Sequence, residues 1–169
     1  IAGNVLVNYG VTLSIQAGTT VNLGSYELMV NGTLQAIGDS TNSITFNGGQ
    51  ITFTQTSVAW NESNSKGCII ENAFINSALT LRNSPKIDYD TINGLITIMQ
   101  ATIKSPISNN IIKGGIFCYY NTRANISNNI IMNSPILIGS SYDSNITVCG
   151  NIISGADSGI TCTTGGLNV

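Results

Sequence analysis

The residues best placed to do chemistry in this 169-residue chain are three carboxylates, Glu71, Asp88 and Asp90. If Ile70 stacks over Ile87 in successive turns of a repeat, Glu71 lies over Asp88 at one strand spacing, about 4.8 Å. Two like charges that close repel unless a cation or a proton bridges them. Three outcomes stay open: a solvated acidic pair in which Asp90 takes a position filled by Asn elsewhere, a Ca²⁺ site, or a carboxylate pair for cleaving a polysaccharide. The nearest basic residues are Arg82, Lys86 and Lys104. The chain has no His, which removes imidazole ligands, the commonest general base, and Ser-His or Cys-His nucleophilic pairs. No cofactor is expected, and no catalytic residue is assigned.

Whatever these side chains do, a repeat must position them. Ile107-Ser-Asn-Asn-Ile-Ile112, Ile126-Ser-Asn-Asn-Ile-Ile131 and Val148-Cys-Gly-Asn-Ile-Ile153 recur about every twenty residues without a helical pattern. Such a period indicates a β-solenoid. Apolar residues then align in three columns. The first runs Ile15, Ala36, Ala59, Leu81, Ile98, Cys118, Ile138, Cys162 and the second Leu23, Phe46, Ile70, Ile87, Ile107, Ile126, Val148. The third runs Val7, Val30, Phe53, Ile75, Ile92, Ile112, Ile131, Ile153. Apolar partners two residues away, as in Leu79/Leu81 and Ile136/Ile138, give the period of a strand with one buried face. The fold expected is all-β, a right-handed three-sided parallel β-helix of about seven to eight turns. One domain is expected over 1–169, with N-terminal turns in 1–60, a protruding loop at 61–67 and Ile/Asn-rich repeats in 68–169. It reads as part of a longer chain or assembly.

Within the repeat, Asn110, Asn129 and Asn151 occupy one place in successive turns and should form a hydrogen-bonded amide ladder. Asn109, Asn128 and Gly150 precede them, types that tolerate a left-handed corner. Alternation puts Ile111, Ile130 and Ile152 outside, with Phe74 before them; Phe117 and Leu137 also point out, near Met99, Tyr119 and Tyr120. This stripe is the candidate interface, unless a corner shifts the phase and places these residues in the core. Among the four cysteines, Cys118 and Cys162 share a column two spacings apart, too far for a disulfide, and read as small buried apolar residues. Cys68 falls near the second column and Cys149 outside.

The opening stretch, Gly10-Val-Thr-Leu-Ser-Ile-Gln-Ala-Gly-Thr-Thr-Val21 through Leu28-Met-Val-Asn-Gly-Thr-Leu-Gln-Ala-Ile-Gly38 and Ile44-Thr-Phe46, resembles the N-terminal turns of bacterial and archaeal surface β-helix proteins of pectin-lyase-like shape. Ser105-Pro-Ile-Ser-Asn-Asn110 and Ser134-Pro-Ile136 resemble their interior repeats. The resemblance covers nearly the whole chain. It implies the fold and an extracellular or cell-surface location. The group includes adhesins, surface-layer components, carbohydrate binders, lyases and hydrolases, so it does not single out an activity.

Charged residues are only 8% of the chain against 42% apolar, and the net charge is −2. Six dispersed basic residues argue against nucleic acid, and no apolar run is long enough to insert in a membrane. Asn31, Asn61, Asn125 and Asn145 begin N-glycosylation sequons, and Trp60, Tyr119, Tyr120 and Tyr142 could stack on sugars. The function expected is that of a non-enzymatic structural protein that associates with itself or with neighbouring chain. A glycan-binding adhesin is the alternative, and a polysaccharide lyase or hydrolase fragment a more distant one. An ice-binding face on Thr80, Thr97 and Thr161 is interrupted by Phe117 and Leu137.

Overall fold

A computed structural model describes residues 1–103, 106–120, 122–139 and 145–163. Lys104 and Tyr142 lie outside the described residues. The described chain is all-β, with no helix. Its strands are β1 (Val5–Val7), β2 (Thr12–Ile15), β3 (Thr20–Val30), β4 (Thr33–Ile37), β5 (Ile44–Phe53), β6 (Ile69–Glu71), β7 (Ala73–Leu81), β8 (Lys86–Asp88), β9 (Thr91–Ile92) and β10 (Ile96–Met99). They continue as β11 (Ile107–Ser108), β12 (Ile111–Ile112), β13 (Ile116–Tyr119), β14 (Arg123–Ser127), β15 (Ile130–Met132), β16 (Ile136–Gly139), β17 (Asn145–Cys149), β18 (Ile152–Ser154) and β19 (Ile160–Cys162).

Two parallel sheets stack these strands. One has seven strands, in the order β17-β14-β11-β8-β6-β4-β2. The other has twelve and forks at β7: Phe74 and Ile75 pair with β9, while Leu79, Thr80 and Leu81 pair with β10. Beyond the fork, β9-β12-β15-β18 and β10-β13-β16-β19 run as separate stacks. Each strand pairs with its equivalents one rung away, an arrangement consistent with a β-solenoid.

The inward residues of each stack are apolar, mostly Ile in the later rungs with Leu, Val, Phe, Ala and Cys elsewhere, and they close the core. Ile70, Ile87, Ile107 and Ile126 are fully buried, as are Ile75, Ile92, Ile112 and Ile131. One preferred rotamer per Ile lets the same contact repeat rung after rung. Each buried Ile contributes about 1.5–3 kcal/mol before ordering entropy is subtracted. At the corner after β9 the backbones approach so closely that a Cβ on Gly94 would fall on the Ser77 carbonyl. One on Gly114 would fall on the Gly94 carbonyl.

From Ile69 onward the expected columns match the observed register; before it they are displaced. Ile15 and Ala36 stack with Ile70, not with Leu81. Val7, Val30 and Phe53 lead to Leu81, and Val21 and Phe46 lead to Ile75. Ala59 belongs to no strand. The cause is the excursion of residues 54–67, which departs after β5 and carries a short antiparallel bridge from Asn61 to Lys66. A spacing of about twenty therefore stepped onto Ala59, where the chain had left the rungs. Of the loop expected at 61–67, residues 61–66 are exposed and Gly67 is buried, with Trp60 packed at the base beneath Lys86 Nζ, 5.6 Å from the ring centroid.

Candidate functional site

Glu71 and Asp88 are register partners on β6 and β8. The charge that bridges them is Lys86. Its Nζ lies 2.9 Å from Glu71 Oε2 and 3.4 Å from Asp88 Oδ2. Partial burial would lower the Lys86 pKa, but the hydrogen bond and charge of Glu71, then those of Asp88, outweigh it and raise it. Asp88 Oδ1 also accepts from Asn109 Nδ2 at 2.8 Å and Ser108 Oγ at 3.2 Å. A partly buried trio of this kind, with side chains 10% to 24% exposed, contributes on the order of 1 kcal/mol. Asp90 is not open beside them; it is 2% exposed. Among the described residues no group of three acidic or thiol side chains is arranged to hold a metal. Arg82 lies off this sheet, with Nη2 3.6 Å from Met99 Sδ.

The amide ladder is present. Asn129 Oδ1 accepts from Asn110 N–H at 3.0 Å and Nδ2 at 3.1 Å, and Asn151 Oδ1 accepts from Asn129 N–H and Nδ2, both at 2.9 Å. Asn110 Oδ1 accepts from Asp90 N–H at 2.8 Å. The Nδ2 groups of Asn110, Asn129 and Asn151 donate to the carbonyls of Ile87, Ile107 and Ile126 at 3.0, 2.8 and 2.7 Å. The corner residues before them are left-handed, with φ of 58° at Asn109, 58° at Asn128 and 65° at Gly150.

A second ladder, on the outer surface, escaped the sequence reading. Asn47 Nδ2 donates to Asn22 Oδ1 at 3.0 Å, Asn76 to Asn47 at 2.8 Å, and Asn93 to Asn76 at 2.6 Å. Its signal was legible as Val21-Asn22, Phe46-Asn47, Ile75-Asn76 and Ile92-Asn93: an inward apolar residue followed by Asn. It runs alongside the apolar stripe. Phe74, Ile111, Ile130 and Ile152 point outward at 48%, 38%, 42% and 64% exposure, in register apart from Thr91 between Phe74 and Ile111. The corner does not fold them into the core.

On the adjoining outer face Thr80, Thr97, Phe117, Leu137 and Thr161 stack as expected. Phe117 and Leu137 are half-buried. The rings of Phe117 and Tyr119 meet edge to face at 6.0 Å, and those of Tyr119 and Tyr120 at 6.2 Å. Tyr120 is exposed and held at φ 47°. Toward the first rungs this face holds an open groove of about 640 Å³ lined by Glu27, Gln50, Thr52, Thr80, Arg82 and Met99, among others. Gln50 Nε2 donates to Thr52 and Thr80 Oγ1 at 2.8 and 3.0 Å. Of the sequon residues, Asn61 and Asn145 are exposed and Asn31 is half-buried. Asn125 Oδ1 is buried without a hydrogen-bond partner.

All four cysteines are free. Cys68 and Cys118 are buried, and Cys149 points outward, as its column position implied. Cys162 corrects the sequence reading: it shares the Cys118 column but is exposed, because β19 has no neighbour beyond it among the described residues. Burial pushes the Cys118 thiol up to about 12, and burial also raises that of Cys68. In native protein at about pH 8, Ellman's reagent should therefore react quickly with two thiols, Cys149 and Cys162, and with all four in urea. Fast reaction of Cys118 would mean that the coil opens there.

With this geometry established, no family model matches the chain, and no curated protein or solved structure matches it.

Proposed function

We propose that this chain is a non-enzymatic structural protein of the cell surface. In this reading it is a right-handed, three-sided β-helix of pectin-lyase-like shape that builds a surface-layer or filamentous assembly. One observation carries the proposal: the outward stripe of Phe74, Ile111, Ile130 and Ile152 on a parallel-stacked face. Isolated exposed apolar residues are ordinary, but several in register on one wall form a surface that association would cover. Low charge lets such walls approach with little repulsion. The Glu71–Lys86–Asp88 trio supports the same reading, since Lys86 bridges the two carboxylates and leaves the three with one net negative charge.

The test is native size and shape by light scattering and electron microscopy, on wild type, Ile130→Asp and Ile152→Asp. Wild type should form long regular polymers. Each variant should raise the concentration needed for assembly by about tenfold or more, as loss of a buried Ile contact implies, with an unchanged circular dichroism spectrum. Variants that assemble like wild type would remove the stripe from the interface. A monomeric wild type would remove the assembly reading altogether.

A second reading rests on the cluster of Phe117, Tyr119 and Tyr120, which offers stacking faces to sugar rings. Retention on an insoluble polysaccharide that is lost in Tyr119→Ala/Tyr120→Ala would favour a glycan-binding adhesin. Retention by neither protein would set it aside.

A further inference from the structure

One corner position is filled, rung after rung, by Ala73, Asp90, Asn110, Asn129 and Asn151. Each follows a left-handed residue: Asn72, Tyr89, Asn109, Asn128 or Gly150. Asp90 therefore stands where later rungs carry an amide. Its Oδ1 behaves as an amide oxygen does there, accepting from the N–H of the preceding rung, Ala73, at 2.8 Å. Its Oδ2 stands where the next rung has Asn110 Nδ2, which donates both to Asn129 Oδ1 and to the Ile87 carbonyl. By the register that pairs Ile70 with Ile87, the equivalent acceptors for Asp90 are Asn110 Oδ1 and the Ile70 carbonyl. Asp90 Oδ2 is buried and has no hydrogen-bond partner. An ionised carboxylate would set a third acceptor oxygen against two others, away from water. A proton on Oδ2 would instead give one of them a donor.

We propose that Asp90 binds a proton in the folded coil at neutral pH and acts as a pH-sensitive lock on the amide ladder. Protonated, it extends the ladder by one rung; ionised, it breaks the ladder at its first member. The charged groups around it act the same way. Burial comes first and raises the carboxyl well above the usual carboxylate range; the Ala73 N–H pulls it down, the charges of Asp88 and Glu71 push it up again, and the Asp88 backbone opposes them more weakly. Lys86, the cation close by, is engaged with Glu71 and Asp88. Along the corner, Ala73 and Asn110 bring no titratable group, and the Tyr89 ring is exposed.

The sign follows from linkage. An unfolded Asp titrates near pH ~3.9. Below that, folded and unfolded chains both hold the proton, and the lock contributes fully. Above it, the unfolded chain releases its proton while folded Asp90 keeps it, so stability falls as pH rises. The fall levels off once folded Asp90 ionises too.

The experiment compares wild type with Asp90→Asn, which replaces the acid by the amide of the later rungs. Urea unfolding should give the variant a folding constant about tenfold or more above wild type near pH 8, a factor of ten being one unit of pKa displacement. That advantage should shrink toward pH 4. In parallel, carbon NMR of Asp-labelled wild type near pH 7 should show one protonated carboxyl that is absent from the variant. A variant no more stable than wild type near pH 8, or an Asp90 carbon with the shift of a carboxylate there, would each overturn the proposal.

Discussion

Asn129→Leu should destabilise the coil by about 3–5 kcal/mol, a large part of the 5–15 kcal/mol typical of a folded domain. Leu keeps the branching and heavy-atom count of Asn though its methyls are bulkier, so the loss is chiefly one of hydrogen bonding. Asn129 is 1% exposed and stands mid-ladder. Without its amide, Asn110 loses the acceptor for its N–H and one of the two acceptors of its Nδ2. The Ile107 and Ser127 carbonyls lose a donor, as does Asn151 Oδ1. No water reaches the buried groups left behind, so their desolvation is uncompensated. The same change at Asn151 should cost less, about 2 kcal/mol, because Asn151 is half-exposed and no later ladder rung depends on it, although Asn129 N–H and the Ile126 carbonyl lose their partners. Urea titrations of both variants decide the matter. Equal losses would mean that the ladder marks a corner without stabilising it.

Gly114→Ala should be comparably damaging, at about 3 kcal/mol or more, for a steric reason alone. The added methyl would fall on the Gly94 carbonyl, with a further contact to Asn93 O at 2.7 Å. Both obstacles are backbone, held by rung-to-rung hydrogen bonds, so relief requires moving a whole rung. Gly159→Ala is the control: its Cβ would meet only Ile153 Cγ2 at 3.9 Å, an ordinary contact. Thermal melts should place Gly159→Ala near wild type and Gly114→Ala well below it. Coincident melts would show that the corner yields more readily than its geometry implies.

The readable part of this chain begins at Ile69. From there each rung carries its own Ile and Asn markers, and alternation assigns inside and outside correctly for Ile111/Ile112 and Ile130/Ile131. Earlier rungs carry Val, Phe, Leu and Ala in longer strands, and period alone does not say which face an apolar pair lines. The excursion at residues 54–67 then breaks the count, which is why Ile15 and Ala36 were aligned with Leu81. The Glu71–Asp88 pairing was legible from column positions. Lys86 as its bridge was not, because the reach of a lysine across two rungs depends on side-chain conformation. Asp90 was legible as a stand-in for Asn. Its buried, partnerless oxygen depends on the position of atoms in the rungs on either side. The surface ladder at Asn22, Asn47, Asn76 and Asn93 was missed because exposed Asn is common in this chain and only register distinguishes these four.

The excursion also bears on how such a sequence can change over generations. In a coil where each rung touches only its neighbours, energies add along the axis, and a detour between rungs leaves the remaining terms intact. This detour is anchored at its base, where Trp60 N–H donates to the Ser84 carbonyl at 2.8 Å and Cys68 N–H to the Val58 carbonyl at 2.9 Å. Past those anchors, doubling its length would add only about 0.6 kcal/mol of closure entropy. Insertions and deletions at the tip near Ser63 are therefore nearly silent for the rungs, whereas one inside Ile107–Ser108 or Ile111–Ile112 would turn over the side chains that follow it in that strand. Descendants of this sequence are free to diversify at that exposed tip while the wall beside it stays fixed in phase.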